Sequence, residues 1–171
     1  MGKKDSRIKK LRETLVGLDR VSTIVLIRSL RDEKPFFGLL SMLAELHSST
    51  SDDGVRDEVE LFFNDLKEQS VAGEVVSIID HIQNNSTRNV LLSSCWQSGI
   101  DYSGYIEYFV SWAISGDYFA TLECFTTIEQ SAFAVPANKR DEEAKRIISV
   151  MGSVSGDKVL LMKEIISILQ H

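Results

Sequence analysis

Apolar residues recur at intervals of three and four along almost the whole chain, which is the spacing of one face of an α-helix. The segment 19–31 shows the pattern clearly, with Thr23, Leu26, Ile27 and Leu30 on one side. No run of six or more residues alternates between apolar and polar, as a half-buried strand would. The pattern therefore predicts an all-α protein of about nine or ten helices.

Turn residues between the periodic segments place the helix boundaries. A short first helix carries Ile8, Leu11 and Leu15. Pro35 is expected to begin the third helix, because proline is tolerated in a first helical turn. The expected helices after the first lie near 19–31, 35–47, 55–68, 71–83, 87–98, 102–115, 118–131, 139–152 and 157–170.

Several of the joins combine residues that end one helix with residues that cap the next. Glycine is the usual terminator, and aspartate or asparagine can accept a hydrogen bond from the first turn that follows. Such short connections predict antiparallel helix pairs. The joins are Gly116-Asp117, Gly156-Asp157, Asn84-Asn85-Ser86 and Gly99-Ile100-Asp101.

The helix pairs also repeat one another. The segments 115–130 and 155–170 both begin with Ser-Gly-Asp, and their apolar positions coincide at an offset of 40 residues. An earlier and less faithful repeat relates 26–46 to 78–99 at an offset of 52. The matched positions of the first repeat are Ala120/Leu160, Leu122/Met162, Phe125/Ile165, Ile128/Ile168 and Gln130/Gln170.

This plan resembles the HEAT-like helical repeats, whose units of about 40 residues stack side by side. The resemblance covers residues 19–170, although the proline and aspartate of the typical inter-helix turn occur together only at 32–35. The stretch 95–109, followed by 116–129, is also similar to HEAT-like proteins of unassigned role in Bacteroidetes-type bacteria. The resemblance implies a single domain over 1–171 that forms a right-handed α–α superhelix, a HEAT/ARM-like solenoid of antiparallel helix pairs.

A closed helical bundle with an accidental repeat is the alternative architecture. In a solenoid each repeat touches only its neighbours, whereas a bundle closes on itself. Tetratricopeptide repeats fit less well, because the chain shows no strict 34-residue period.

Charge is unevenly distributed along the chain. The net charge is −6, but the basic segment 1–12 contains six basic residues against Asp5, a local charge of +5 that leaves −11 on the rest. Since an acidic surface repels a phosphate backbone, nucleic acid is an unlikely partner. No segment has the roughly 20 apolar residues of a membrane span, so the expected location is the cytoplasm.

The first residues leave one targeting question open. Gly2 and Ser6 fit the loose pattern for N-myristoylation, and the basic residues that follow could supply a second membrane signal. Whether Gly2 or the basic segment is functional is not decided by so short a motif.

Candidate catalytic and metal-binding residues are sparse. Cys95 and Cys124 fall on apolar helix faces, where cysteine acts as a small hydrophobe. His47, His81 and His171 lie far apart and lack the spacing of a metal site. No phosphate loop, nucleophile elbow or dinucleotide fingerprint occurs. The sequence therefore predicts no enzyme, no cofactor and no metal.

Aromatic residues provide the best binding signal. Several form a second stripe beside the apolar face of the helix near 102–115. Packing between neighbouring repeats is one explanation, and a patch that binds a partner is the other. The candidate partner-binding residues are Trp96, Tyr102, Tyr105, Tyr108, Trp112 and Tyr118.

Arg20, Arg28 and Arg31 project from one side of the helix over 19–31. They either form ion pairs with the acidic helix surfaces that follow or constitute a phosphate-facing patch. Taken together, the features favour a non-catalytic scaffold or adaptor that binds an unknown protein or peptide. The alternative is a HEAT-like DNA-binding or DNA glycosylase-type protein, with a HEAT-like lyase as a third option. Oligomeric state is not predicted.

Overall fold

The computed structural model describes residues 3–171, with side chains from Ser6 onward, so Gly2 lies outside the described part. Ten α-helices and no strand occur within these residues, which confirms the predicted all-α class. Short 3₁₀ turns precede or follow several helices. The helices are α1 (Lys3–Val16), α2 (Arg20–Arg31), α3 (Leu39–Ser49), α4 (Asp53–Asn64), α5 (Ala72–His81), α6 (Asn85–Gln97), α7 (Ile106–Ser115), α8 (Tyr118–Ser131), α9 (Ala137–Val150) and α10 (Lys158–Gln170).

Four helices begin at a capping side chain that satisfies an otherwise unpaired backbone N–H. The Asn84 and Asp117 caps confirm two of the predicted joins. At a third, Gly156 has a φ of 65°, as expected of a glycine that ends a helix, but the side chain of Asp157 makes no capping hydrogen bond. The four caps are Asp19, Asp52, Asn84 and Asp117, whose side chains accept from the N–H groups of Ser22, Val55, Thr87 and Ala120.

The third helix begins later than Pro35, where the sequence placed it. Gly38 has a φ of 83°, a left-handed conformation that interrupts the helical path, and α3 begins only at Leu39. A side chain at Gly38 would also lie 3.4 Å from Ile8 Cγ1, so the missing Cβ lets α1 approach this turn. The prediction for Pro35 was therefore wrong by about one helical turn.

Residue contacts divide the chain into two compact units, unit 1 (Met1–Gly99) and unit 2 (Ile100–His171). In unit 1, α2 lies beside α4 and α4 beside α6, while α3 lies beside α5. The α2 and α4 helices run parallel, because Arg20 pairs with Asp52 where both begin and Arg31 pairs with Asp65 where both end. Asn64 and Gln97 likewise join the ends of α4 and α6, so α2, α4 and α6 form one row of parallel helices, and α3 and α5 form a second row beside it, as in stacked helix pairs.

The core of unit 1 lies between these two rows of helices. Its fully buried side chains come from α2 to α6 and pack at helical spacing, which is what the apolar periodicity predicts. Burying one such side chain contributes about 1.5–3 kcal/mol. The largest of them are Ile27, Leu39, Leu40, Leu43, Phe63, Ile79, Leu91 and Leu92.

Unit 2 repeats the arrangement with four helices. The α7 helix pairs with α8 and α9 with α10, while α7 also lies beside α9 and α8 beside α10. The buried residues of α8 and α10 correspond at an offset of 41, not at the predicted 40. Both helices begin directly after the aspartate of their Ser-Gly-Asp turn, at Tyr118 and Lys158, so the helix starts keep the offset of 40 and only the buried face is shifted by one residue. The buried pairs are Thr121/Met162, Cys124/Ile165 and Ile128/Leu169.

Within the described residues, no helix has both the length and the apolar character needed to span a bilayer.

Candidate functional site

The three arginines singled out in the sequence all lie between α2 and α4. Arg28 Nε lies 2.8 Å from one carboxylate oxygen of Glu58, and Arg31 Nη1 lies 2.9 Å from the other. Arg31 also donates to Asp65. The Glu58 side chain is only 3% exposed, so its negative charge is neutralised by two cations from the neighbouring helix.

Arg20 occupies the other end of the same interface. Its Nε lies 3.0 Å from the Asp52 carboxylate. Asp52 also caps α4, and the pKa of its carboxyl is lowered first by the Val55 N–H and then by Arg20. All three guanidinium groups are therefore bound to carboxylates of unit 1. A phosphate-facing role for them stays a prediction.

A cleft of about 580 Å³ opens where α2 and α4 end, and we call it the α2–α4 cleft. Its walls come from the ends of these helices and from the loops that follow them. The Phe62 and Leu66 side chains are buried among its lining residues, and Pro35 lies nearby. The basic lining residues are Arg28, Arg31, Lys34 and Lys67, and the acidic ones are Asp32, Glu33, Asp65 and Glu68.

The charges of the α2–α4 cleft are balanced and partly paired with one another. Lys34 Nζ lies 3.6 Å from Glu68 across the cleft. Glu33 accepts from Arg7 of α1, whose guanidinium carbon lies 3.9 Å from the ring centre of Phe36. The carbonyl ends of α2 and α4 add partial negative charge. The cleft is therefore suited to a ligand that carries both signs of charge.

The aromatic residues singled out in the sequence have different environments. Tyr102 is 1% exposed and packs edge-to-face against Phe109, with ring centres 5.5 Å apart, so it belongs to the core of unit 2. Trp96 is half-buried on α6 of unit 1. In unit 2, Tyr118 is exposed, and the half-buried residues are Tyr105, Tyr108 and Trp112. Partner binding by these residues stays a prediction.

Exposed apolar side chains that the sequence analysis missed lie on the first turns of α8 and α10. Phe119 is 63% exposed and Leu160 is 67% exposed. The two are related by the offset of 41 that relates the buried residues of these helices. The buried face of α8 includes Ala120, Thr121 and Cys124, and helical spacing places Phe119 outside it. The exposure of Phe119 therefore follows from the sequence only after the buried face has been identified.

Of the remaining candidates for chemistry, His47, Cys95 and Cys124 are buried, whereas His81 and His171 are exposed. His47 Nδ1 lies 2.9 Å from Thr87 Oγ1, and the pKa of His47 is lowered, mainly by burial and then by the charge of Arg56. Cys95 and Cys124 are buried on their helices. In the part of the chain that the structure describes, no group of three potential metal ligands occurs.

No family model, curated protein or solved structure matches the chain. The resemblance to HEAT-like repeats therefore depends on the pattern of helix pairs alone.

Proposed function

We propose that this chain is a non-catalytic helical-repeat adaptor of the HEAT-like type, which binds an exposed polypeptide segment of a partner protein in the α2–α4 cleft. The repeat character is supported within each unit by the contacts between alternate helices. Side-by-side helix pairs present grooves between successive turns, and binding is the usual task of such surfaces.

The observation that carries the proposal is the lining of the α2–α4 cleft. Charges of both signs surround the buried side chains of Phe62 and Leu66. A polypeptide supplies the matching groups, namely side chains of either charge, apolar side chains and backbone hydrogen-bonding groups. The volume of about 580 Å³ lies in the ordinary range for binding pockets and accommodates a few side chains.

A nucleic-acid ligand fits the same cleft poorly. A phosphate backbone needs cations whose charge is available, and high affinity comes from the counterions that those cations release. Here Arg28 and Arg31 are bound to Glu58, and Lys34 lies close to Glu68. The four acidic residues of the lining would face the phosphates. The polypeptide is therefore the better partner.

Charge reversal in the cleft tests the proposal. We would purify tagged full-length chain from its source cells and compare co-purified proteins between the parent and the K34E/K67E variant. Both lysines are exposed, and neither contacts Glu58. The matched control is K145E/K163E, which makes the same charge change on exposed positions of unit 2.

We expect at least one protein to be depleted about tenfold or more in K34E/K67E, since each reversed contact at an interface costs on the order of 1 kcal/mol. The control should retain it. Equal recovery of every partner by the two variants would contradict binding in the α2–α4 cleft.

A further inference from the structure

The first helix differs from the others of unit 1 in how loosely it is held. No residue of α1 from Ser6 to Val16 is buried, and α1 packs on the rest of the unit less extensively than α2 to α6 do. Its apolar residues Ile8, Leu11 and Leu15 lie on one face and are half-buried. The helix therefore rests on unit 1 without contributing to its core.

Besides its half-buried apolar face and the contact of Arg7 with Phe36, α1 is held by two exposed ion pairs. Arg7 donates to Glu33, and Arg12 Nη1 lies 2.7 Å from Glu45. In both pairs the side chains remain about half exposed. Such pairs stabilise a docked helix only weakly, because water screens the charges and two long side chains lose freedom. The ion pairs therefore add little to the docking of α1, which depends mainly on its half-buried apolar face.

The outward side of α1 is basic. Lys9 and Lys10 are exposed, and neither forms an ion pair within the part of the chain that the structure describes. Together with Arg7 and Arg12 they give the helix four cations between residues 7 and 12. While α1 is docked on unit 1, Glu33 and Glu45 form ion pairs with two of these cations, Arg7 and Arg12.

We propose that α1 is a releasable basic amphipathic helix that exchanges Glu33 and Glu45 for the surface of an anionic lipid bilayer. On the bilayer, Ile8, Leu11 and Leu15 enter the interface, and the basic residues meet the lipid phosphates and carboxylates. Each basic residue near an anionic membrane adds to the binding free energy, so the four cations act together. Docked on unit 1, α1 is held in an autoinhibited position by its own acidic partners.

The apolar face selects a membrane over a nucleic acid. A bilayer interface buries Ile8, Leu11 and Leu15 and gains free energy from doing so, whereas a phosphate backbone offers them no apolar surface. Both partners would respond to the cations, so the experiment must include both.

Vesicle sedimentation of the full chain tests the exchange. We expect binding to phosphatidylcholine vesicles that contain phosphatidylserine, weaker binding at high salt, and little binding to phosphatidylcholine alone. E33Q/E45Q should bind the anionic vesicles about fivefold more tightly, because the two competing ion pairs are lost. The control E129Q/E164Q makes the same change in net charge on exposed residues of α8 and α10 and should change binding much less.

A disulfide between α1 and unit 1 tests whether release is required. A Cβ built on Gly38 lies 3.9 Å from Ile8 Cβ, a separation that a disulfide spans. We expect oxidised I8C/G38C to lose vesicle binding and the reduced form to regain it. Both forms carry the same substitutions, so any strain from a side chain at Gly38 is common to the two.

Three results would overturn the proposal. They are vesicle binding by the oxidised form equal to that of the reduced form, equal binding to neutral and anionic vesicles, and tighter binding to double-stranded DNA than to anionic vesicles at the same salt.

Discussion

Units 1 and 2 each contain a buried glutamate at a contact between parallel helices, but the cations that neutralise it have different sources. In unit 1, Glu58 of α4 receives Arg28 and Arg31 from the neighbouring helix α2. In unit 2, Glu143 of α9 is 1% exposed and lies 2.5 Å from Arg146 of the same helix. Lys139, also of α9, lies 3.7 Å from Glu143.

The difference determines which contacts depend on a buried charge. Both cations that pair with Glu143 belong to α9, and the same two side chains also contact α7. Lys139 Nζ lies 2.9 Å from Glu107, and Arg146 donates to Ser111. Glu58 is neutralised only when α2 is in place. Unit 1 therefore couples the packing of α2 on α4 to the charge of Glu58, and the same arginines line the α2–α4 cleft.

The largest expected effect comes from removing the arginines of unit 1. R28A/R31A leaves Glu58 buried without a cation, which should lower the free energy of unfolding of unit 1 by roughly 3 kcal/mol. Urea denaturation followed by tryptophan fluorescence in a W112F background measures this, because the remaining tryptophan, Trp96, lies on α6 of unit 1.

Two further variants sharpen the result. Adding E58M to R28A/R31A should recover most of the lost stability, because the uncompensated charge is then gone.

R146A in unit 2, followed by Trp112 in a W96F background, should lower the free energy of unfolding by about half as much as R28A/R31A does, since Lys139 remains near Glu143. Equal losses of unfolding free energy from R28A/R31A and R146A would show that stability does not depend on whether the cation comes from the same helix or from a neighbouring one.

A smaller effect is expected at the two Ser-Gly-Asp turns of unit 2. Asp117 accepts a hydrogen bond of 2.8 Å from the Ala120 N–H, whereas Asp157 accepts none from its helix. D117A should therefore destabilise unit 2 by about 1 kcal/mol and D157A by only a few tenths. Thermal and urea unfolding followed by Trp112 measure both, and a larger loss for D157A would contradict the cap assignment.

The smallest effect is a pH dependence confined to unit 1. Burial lowers the pKa of His47 below its ordinary value, so the unfolded chain binds the proton more tightly than the folded chain. The resulting contribution to stability is fully present above about pH 6.5 and is lost as the pH falls from there towards the folded pKa.

His47→Gln provides the comparison for this prediction. Glu60 and Glu74 of unit 1 have pKa values raised by burial, so their titration changes stability with the opposite sign, and it is common to the parent and the variant. The quantity to measure is therefore the difference in unfolding free energy between the parent and H47Q, from pH 8 to pH 5.5. If this difference in unfolding free energy does not change with pH, His47 is not the cause of the pH dependence of stability.

Most of the fold was predictable from local signals. Apolar periodicity located ten helices, and Asn84 and Asp117 marked two of their starts. One error arose where backbone conformation overrode the pattern, since left-handed Gly38 moved the start of α3. In α10 the buried face is shifted by one residue relative to α8, although both helices begin at the same position after their Ser-Gly-Asp turns. A periodic pattern does not show which glycines adopt a positive φ.

The candidate site was less predictable, because it depends on residues distant in sequence. The sequence identified Arg28 and Arg31 and offered ion pairing as one explanation for them. It did not indicate that Glu58 is buried, or that the loops after α2 and α4 meet to form a cleft. Lys158 is a similar case, since its Nζ caps α7 by donating to the carbonyl oxygens of Ile114 and Gly116, both at 2.7 Å.

Site-specific photo-crosslinking tests the central functional claim most directly. A benzophenone side chain would replace Lys67 in the α2–α4 cleft or, as the control, Lys163 on the exposed surface of α10. We predict that position 67 gives a discrete crosslinked protein in source cells, that K34E reduces its yield, and that position 163 does not give it. The same crosslinked proteins from both positions, or none from position 67, would contradict polypeptide binding in the α2–α4 cleft.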